Sequence, residues 1–478
     1  MRQKNRFAIW SAICLALAAF CMVGGMSAME AALPDVRGRM LCRYGGDGPS
    51  FERINLLRDI MAEWAKNGQV MGAVTAWTQT SNTEIKCEAT VASLELNALW
   101  IDGEANLIWS WEALTGSVPV YGTTRDCAID ADTAQLLFGS MNIIGQTVKV
   151  GNIAFTVACV FQLPQGLSSW GADPGCGLAL LPASMLSDSS YAGPNELFDG
   201  NGGMKSTASG LDFNVTPRDG HTPKEWVETW LNESRISLPE WGNDLWQQRR
   251  LLSTAAQCGP MMIVACVVMT VGAAALRLLR AAIAGARACW LDRLMPTVRG
   301  WRLLGIGVAG TAALTALGLW AAGLPRIVLD IPADFLPTRW SDLSFWPNLA
   351  LNQVREQASR QMLGALRPDM IRDHLAGLSA NLSLLAVPML FLSWRGMRKS
   401  TSASWILPKI LIPMASVLVS LPLALWCVRR LGWPASITSG LLPLALVFAM
   451  VAQLPAAYPL MKMLMSYHQK NNHEEVSL

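Results

Sequence analysis

Uncharged apolar runs recur along this chain, and they bound every other reading of it. Residues 7–29 carry no charge and follow Arg2, Lys4 and Arg6; Leu251 to Leu276 carries none, and similar runs occupy 303–325, 375–394, 410–428 and 436–460. A helix of about 20 apolar residues crosses the hydrocarbon of a bilayer. The expected fold class is therefore an α-helical integral membrane protein with about six transmembrane helices. Only 15% of the residues are charged, against about a quarter in a water-soluble domain, as buried spans require. A scattered net charge of +3 gives no basis for nucleic-acid binding.

Charge placement orients the spans. The first run exceeds the roughly 7–15 apolar residues of a signal peptide, which favours a retained anchor (1–29) over a cleaved leader, with the N-terminus cytoplasmic. Residues 30–250 are then expected outside the membrane as an α+β domain between the first and second spans. Spans two and three (251–325) flank a loop, 277–302, with Arg277, Arg280, Arg287, Arg293, Arg299 and Arg302 against only Asp292. Such a loop is cytoplasmic by the positive-inside rule. A second outer loop (326–374), a fourth span (375–394), a basic loop with a terminal hairpin (395–461) and a cytoplasmic tail (462–478) complete a multi-pass plasma-membrane topology. Arg429 and Arg430 at the hairpin's outer turn run against the rule, and a shallow re-entrant hairpin is the alternative there.

Within the exported region, Ser50 caps a helix with Phe51, Ile54, Leu57, Ile60 and Trp64 on one face, stopping at Asn67-Gly68. Strands follow at 70–79, 87–91 and 94–101. Asp126 to Phe161 then reads as a short helix, a tight connection and a hairpin. Asp130 is the N-cap, Ala134, Leu137 and Phe138 share the apolar face, and Gly139 is the stop. Alternation in Gln146 to Val150, the turn pair Gly151-Asn152 and the returning run Ile153 to Phe161 form the hairpin. A short strand at Leu178 to Pro182 comes after a loop, 187–209 reads as a surface excursion, and Thr222-Pro223-Lys224-Glu225 starts another helix.

Chemistry is sparse. There is no Gly-x-x-x-x-Gly-Lys-Ser/Thr loop for ATP, no His-Glu-x-x-His and no Gly-x-Ser-x-Gly. His221 and His374 are the only imidazoles in the exported segments, and Asp130 with Asp132 reads as a cap and a first-turn charge before it reads as paired carboxylates. The apolar runs lack acids, which disfavours proton or sodium coupling. Cys42, Cys87, Cys127, Cys159 and Cys176 leave a disulfide or two open. No catalytic, metal or cofactor site is expected. The arginine-rich loop is either a topology signal alone or also a docking surface for a cytoplasmic partner.

The exported stretch resembles the periplasmic core domain of MacB-like and FtsX-like ABC transporter permeases. The resemblance is carried by Ala134-Gln135-Leu136-Leu137-Phe138-Gly139, Gly145-Gln146-Thr147-Val148, Phe155-Thr156-Val157-Ala158-Cys159-Val160 and Leu180-Leu181-Pro182. Cys159 stands where that family usually has glycine, and the terminal hairpin departs from a four-span pattern. The resemblance implies a permease subunit whose ATP is bound by a separate cytoplasmic ATPase. That subunit docks on the inner loop (Arg280, Arg287, Arg293, Arg299), two permease chains pair as a homo- or heterodimer in the lipid, and motion passes to the exported domain. A membrane receptor or scaffold whose exported domain binds an envelope partner is the alternative.

Overall fold

The computed structural model describes residues 2–34, 36–45, 48–68, 70–87, 90–122, 124–163, 177–187, 207–216, 222–291, 298–323, 331, 335–337, 344–362, 367–399, 406–437 and 441–451. In chain order, α1 (Arg2–Ala32) precedes β1 (Arg39–Arg43), α2 (Phe51–Lys66), β2 (Gly72–Cys87), β3 (Ser93–Glu104), α3 (Ala105–Ile108), β4 (Glu112–Gly116) and β5 (Val120–Tyr121). Then come β6 (Asp126–Asp130), α4 (Ala131–Phe138), β7 (Thr147–Val150), β8 (Ile153–Gln162), β9 (Leu178–Pro182), β10 (Gly210–Val215), α5 (Pro223–Glu233) and β11 (Trp241–Asp244). The remainder is helical: α6 (Leu245–Leu291), α7 (Val298–Gly323), α8 (Phe345–Met362), α9 (Arg367–Lys399), α10 (Ile406–Arg430) and α11 (Leu441–Val451).

Two compact units share the chain. One holds Met1–Ala31, Leu251–Asp330 and Ala376–Leu478; the other holds Ala32–Arg250 and Ile331–Leu375. The second is a mixed α/β unit whose strands follow the order β11-β1-β10-β2-β7-β8-β6-β9-β3-β5. Because β2 also pairs with β3, the strands β2, β7, β8, β6, β9 and β3 close into a ring. One apolar cluster draws on all six: Ile85, Trp100, Cys127, Val148, Phe155 and Leu181, with Ala134 and Leu137 of α4 packed against them. Pairing β8 in parallel with β6 needs a bulge between Cys127 and Ala128. Accordingly Phe155 and Val157 share one core with Val160, while Cys159 and Phe161 belong to the opposite one.

The other end of this unit is a layer of α2 and α5 over β11-β1-β10-β2. Ile54, Leu57 and Met61, at helical spacing, meet Val227, Trp230 and Leu231 and the strand residues Cys42, Leu211, Phe213 and Ala76. Ser50 caps α2 by accepting from the Arg53 amide at 3.5 Å, and Thr222 with Glu225 forms a reciprocal capping box on α5. The strand expected at 70–79 runs on to Cys87, bulged between Thr80 and Thr83. β1, β4, β5, β6, β10 and β11 had no counterpart in the sequence reading. The loop expected at 326–374 contains α8 and the first turns of α9.

Among the described residues, five helices are long and apolar enough to cross a membrane: Ile9–Ala32, Leu245–Ala284, Gly305–Gly323, Pro368–Met397 and Leu411–Arg430. A sixth apolar helix, α11, has 11 described residues, so the terminal span expected through 460 lies partly outside the described residues. α1 has 72% of its apolar window buried, against 33% or less for the other four, which makes it the packing centre of its unit. It runs antiparallel to α9: Ser379 Oγ donates to Gly25 O at 2.7 Å and Ser393 Oγ to Ser11 O at 2.9 Å. Those contacts lie fourteen residues apart on both helices, about 21 Å of seam. Small residues permit the approach. A Cβ added at Gly25 would meet Ser383 Oγ at 2.5 Å and the Ser379 carbonyl at 3.2 Å. Gly25→Val is therefore expected to cost about 1–3 kcal/mol by overpacking, read as a lower thermal midpoint of the detergent-solubilised chain.

Candidate functional site

The motif residues fold as one knot. α4 starts at Asp130, whose extended backbone (φ −71°, ψ 157°) suits an N-cap. Its Oδ2 accepts from the Thr133 amide at 3.2 Å, and its Oδ1 accepts from Thr133 Oγ1 at 2.5 Å and from the Leu178 amide at 2.8 Å. The carboxylate thus ties the helix start to the first residue of β9. Gly177 leaves room for this: a Cβ there would come within 2.0 Å of Thr133 Oγ1. Asp132 is exposed in the first turn, so the two acids do not converge as an acid–base pair. Ala134 and Leu137 are buried and Phe138 half-buried. Gly139 closes the helix in the left-handed region (φ 67°), and Gly145 (φ 84°) makes the turn into β7. β7 and β8 pair from Thr147–Thr156 to Val150–Ile153. Phe155, Val157, Val160 and Pro182 are all buried. These residues hold the ring together.

A second constellation lies where sequence reasoning had placed nothing. In β1 and β10 the residues facing the α2–α5 layer are Met40, Cys42, Leu211, Phe213 and Val215; the twofold alternation of a strand turns Arg43 and Asp212 to the other face. Arg43 opposes Gly210, and Gly210 opposes Trp77 on β2. The missing side chain at Gly210 is what lets the indole lie flat there, since a Cβ would sit 2.3 Å from its ring. The Arg43 guanidinium stacks over that indole, 4.8 Å from its centroid.

Arg43 joins two carboxylates. Nη1 donates to Asp212 Oδ1 at 2.5 Å, while Nε and Nη2 donate to Asp369 Oδ2 and Oδ1 at 2.8 and 3.1 Å. Asp369 stands in the first turn of α9, where the helix dipole favours an anion, and accepts a further bond from Arg372 Nη1 at 2.7 Å. Arg372 Nη2 reaches the Ile108 carbonyl at 3.0 Å, and its guanidinium lies over Trp109 at 5.4 Å. Trp77 Nε1 donates to the remaining Asp212 oxygen at 3.1 Å. All four charged side chains are buried. Burial prevails at Asp212, which is raised despite Arg43. The arrangement is a neutral four-charge fastening between β1, β10 and the start of α9, with every charge engaged.

Of the docking arginines, Arg280 and Arg287 are exposed on α6, as is Arg277; the three fall within about 80° of helix arc. Arg293 and the side chain of Arg299 lie outside the described residues, as do His221 and Cys176. Cys42, Cys87, Cys127 and Cys159 are buried free thiols, which removes them from the disulfides left open by the sequence. Burial pushes Cys159 up to about 11 and Cys42 and Cys127 higher, so these three are protonated and unreactive at neutral pH. Among the described residues, no group of three or more His, Cys, Asp and Glu side chains is placed to hold a metal ion.

No family model matches the chain, and no curated protein matches it in sequence. Solved structures similar to part of it include two transporter domains. The periplasmic region of MacB from Actinobacillus actinomycetemcomitans is 13% identical over 42% of this chain and 87% of that one, with a TM-score of 0.28. The extracellular domain of the noncanonic ABC-type transporter YknZ from Gram-positive bacteria is 14% identical over 42% of this chain and 96% of that one, with a TM-score of 0.26. Identities and TM-scores this low leave the function to be argued from the chain's own residues.

Proposed function

We propose that this chain is the membrane-spanning permease subunit of an ABC transporter. In this reading it couples ATP hydrolysis by a separate cytoplasmic subunit to movement of its exported α/β unit, for export or cell-envelope work. The observation that carries the reading is the motif set Ala134–Gly139, Gly145–Val148, Phe155–Val160 and Leu180–Pro182. It ties the sequence to permease core domains, and it folds as one knot in a unit inserted after the first apolar helix. The exposed arginines at the end of α6 support a docking role. That helix is 47 residues long, about twice what a bilayer crossing needs, so its basic end has length to spare beyond the membrane. Two such chains pair, and the nucleotide is held by the partner, not by this chain.

The test is capture of the partner. Affinity-purified full-length chain is expected to bring down an ATPase. The double reversal Arg280→Glu/Arg287→Glu should cut the co-purifying activity by at least tenfold while leaving the level of the chain unchanged. Recovery of no nucleotide-binding protein, or equal recovery by the reversed variant, would overturn the reading.

A further inference from the structure

We infer that the Arg43–Asp212–Asp369–Arg372 cluster is a reversible latch that lets the start of α9 leave and rejoin the β1–β10 sheet without stranding a charge on either side. The argument lies in how the four charges divide. On the sheet side, Arg43 keeps Asp212 at 2.5 Å, and Asp212 keeps the Trp77 indole at 3.1 Å. On the helix side, Asp369 keeps Arg372 three residues along the same helix, at 2.7 Å. The bonds that cross are those of Arg43 to Asp369 and of Arg372 to the Ile108 carbonyl. Breaking them leaves two neutral pairs, each already assembled. A single ion pair across the same boundary would instead leave one bare charge on each surface, and desolvating both again on closure is what makes buried pairs expensive. Asp212 and Asp369 also repel one another in the closed form, which limits how tightly the latch holds.

A latch and a fixed structural cluster respond differently to two conservative changes. Asp369→Asn removes the attraction that crosses the boundary, so the helix start is expected to open more often. Asp212→Asn removes the carboxylate that shelters Arg43 when the latch is open and the repulsion felt when it is closed, so the helix start is expected to open less often. A fixed cluster is loosened by both. Amide hydrogen exchange of the full chain in detergent reads this directly. For the amides of residues 369–375, Asp369→Asn should speed exchange at least tenfold and Asp212→Asn should slow it severalfold, with α2 and α4 as internal references. Faster exchange in Asp212→Asn, or none in Asp369→Asn, would overturn the latch. If Asp369→Asn also releases the reference helices, the direction of the Asp212→Asn change decides alone. The inference does not depend on the permease reading and stands or falls separately from it.

Discussion

Replacing Arg43 with leucine is expected to lower the stability of the α/β unit by about 3–5 kcal/mol, the range for removing one partner from a buried ion pair. Two carboxylates then lose their shared guanidinium, and Asp212 keeps only an indole donor while Asp369 keeps Arg372. The pH dependence identifies the cause. Asp212 lies above its ordinary value, so burying it charged is a cost that is relieved as pH falls through that raised value. Without Arg43, less positive charge opposes that burial, and the protonated form of Asp212 is favoured more strongly. The variant therefore recovers more stability on acidification than the wild type does. Thermal unfolding of the full chain, followed by tryptophan fluorescence, should show a smaller gap near pH 4.5 than near pH 7.5. A gap of constant size would mean that lost packing against Trp77, not charge, was responsible.

Asp130→Ala should cost about 2–4 kcal/mol, combining a lost helix cap of about 1 kcal/mol with the buried Leu178 amide left unpaired at about 1–3 kcal/mol. The same side chain also holds Thr133 Oγ1. Asp130→Asn retains one carbonyl oxygen for these donors and is expected to recover part of the loss. Unfolding midpoints of the two variants would check this. Equal losses would show that the negative charge at the start of α4 matters more than the acceptor geometry.

Features written in short sequence windows were legible. Asp130 to Gly139, the Gly151-Asn152 hairpin, Ser50 before α2 and the Thr222–Glu225 box are each local signals whose chemistry depends on neighbours within a few residues. β1 and β10 were missed because one face of each carries a charged residue, Arg43 or Asp212, that is buried only by a tertiary partner. Read locally, such short strands look like polar loop. Asp126 to Asp130 hid in the same way, a five-residue strand read as the approach to its helix. One clue to the charge cluster was available: Arg367-Pro368-Asp369 is a helix start, with proline early and an acid in the first turn. That signal would start a helix at Arg367, eight residues before the expected span, but it says nothing of what faces Asp369. The six-residue strand carrying Asp212 and the empty position at Gly210 became meaningful only once three strands lay side by side.

The spacing of Arg43 and its partners sets a timetable for synthesis. Asp212 follows Arg43 by 169 residues and Asp369 by 326. At roughly 5–20 residues per second, Asp369 emerges about 16–65 s after Arg43, behind two further apolar segments that must first be inserted. During that interval the half-built domain has to keep an arginine compensated with only Asp212 to do it. The pairing that leaves no bare charge when α9 departs also leaves none before α9 has been made.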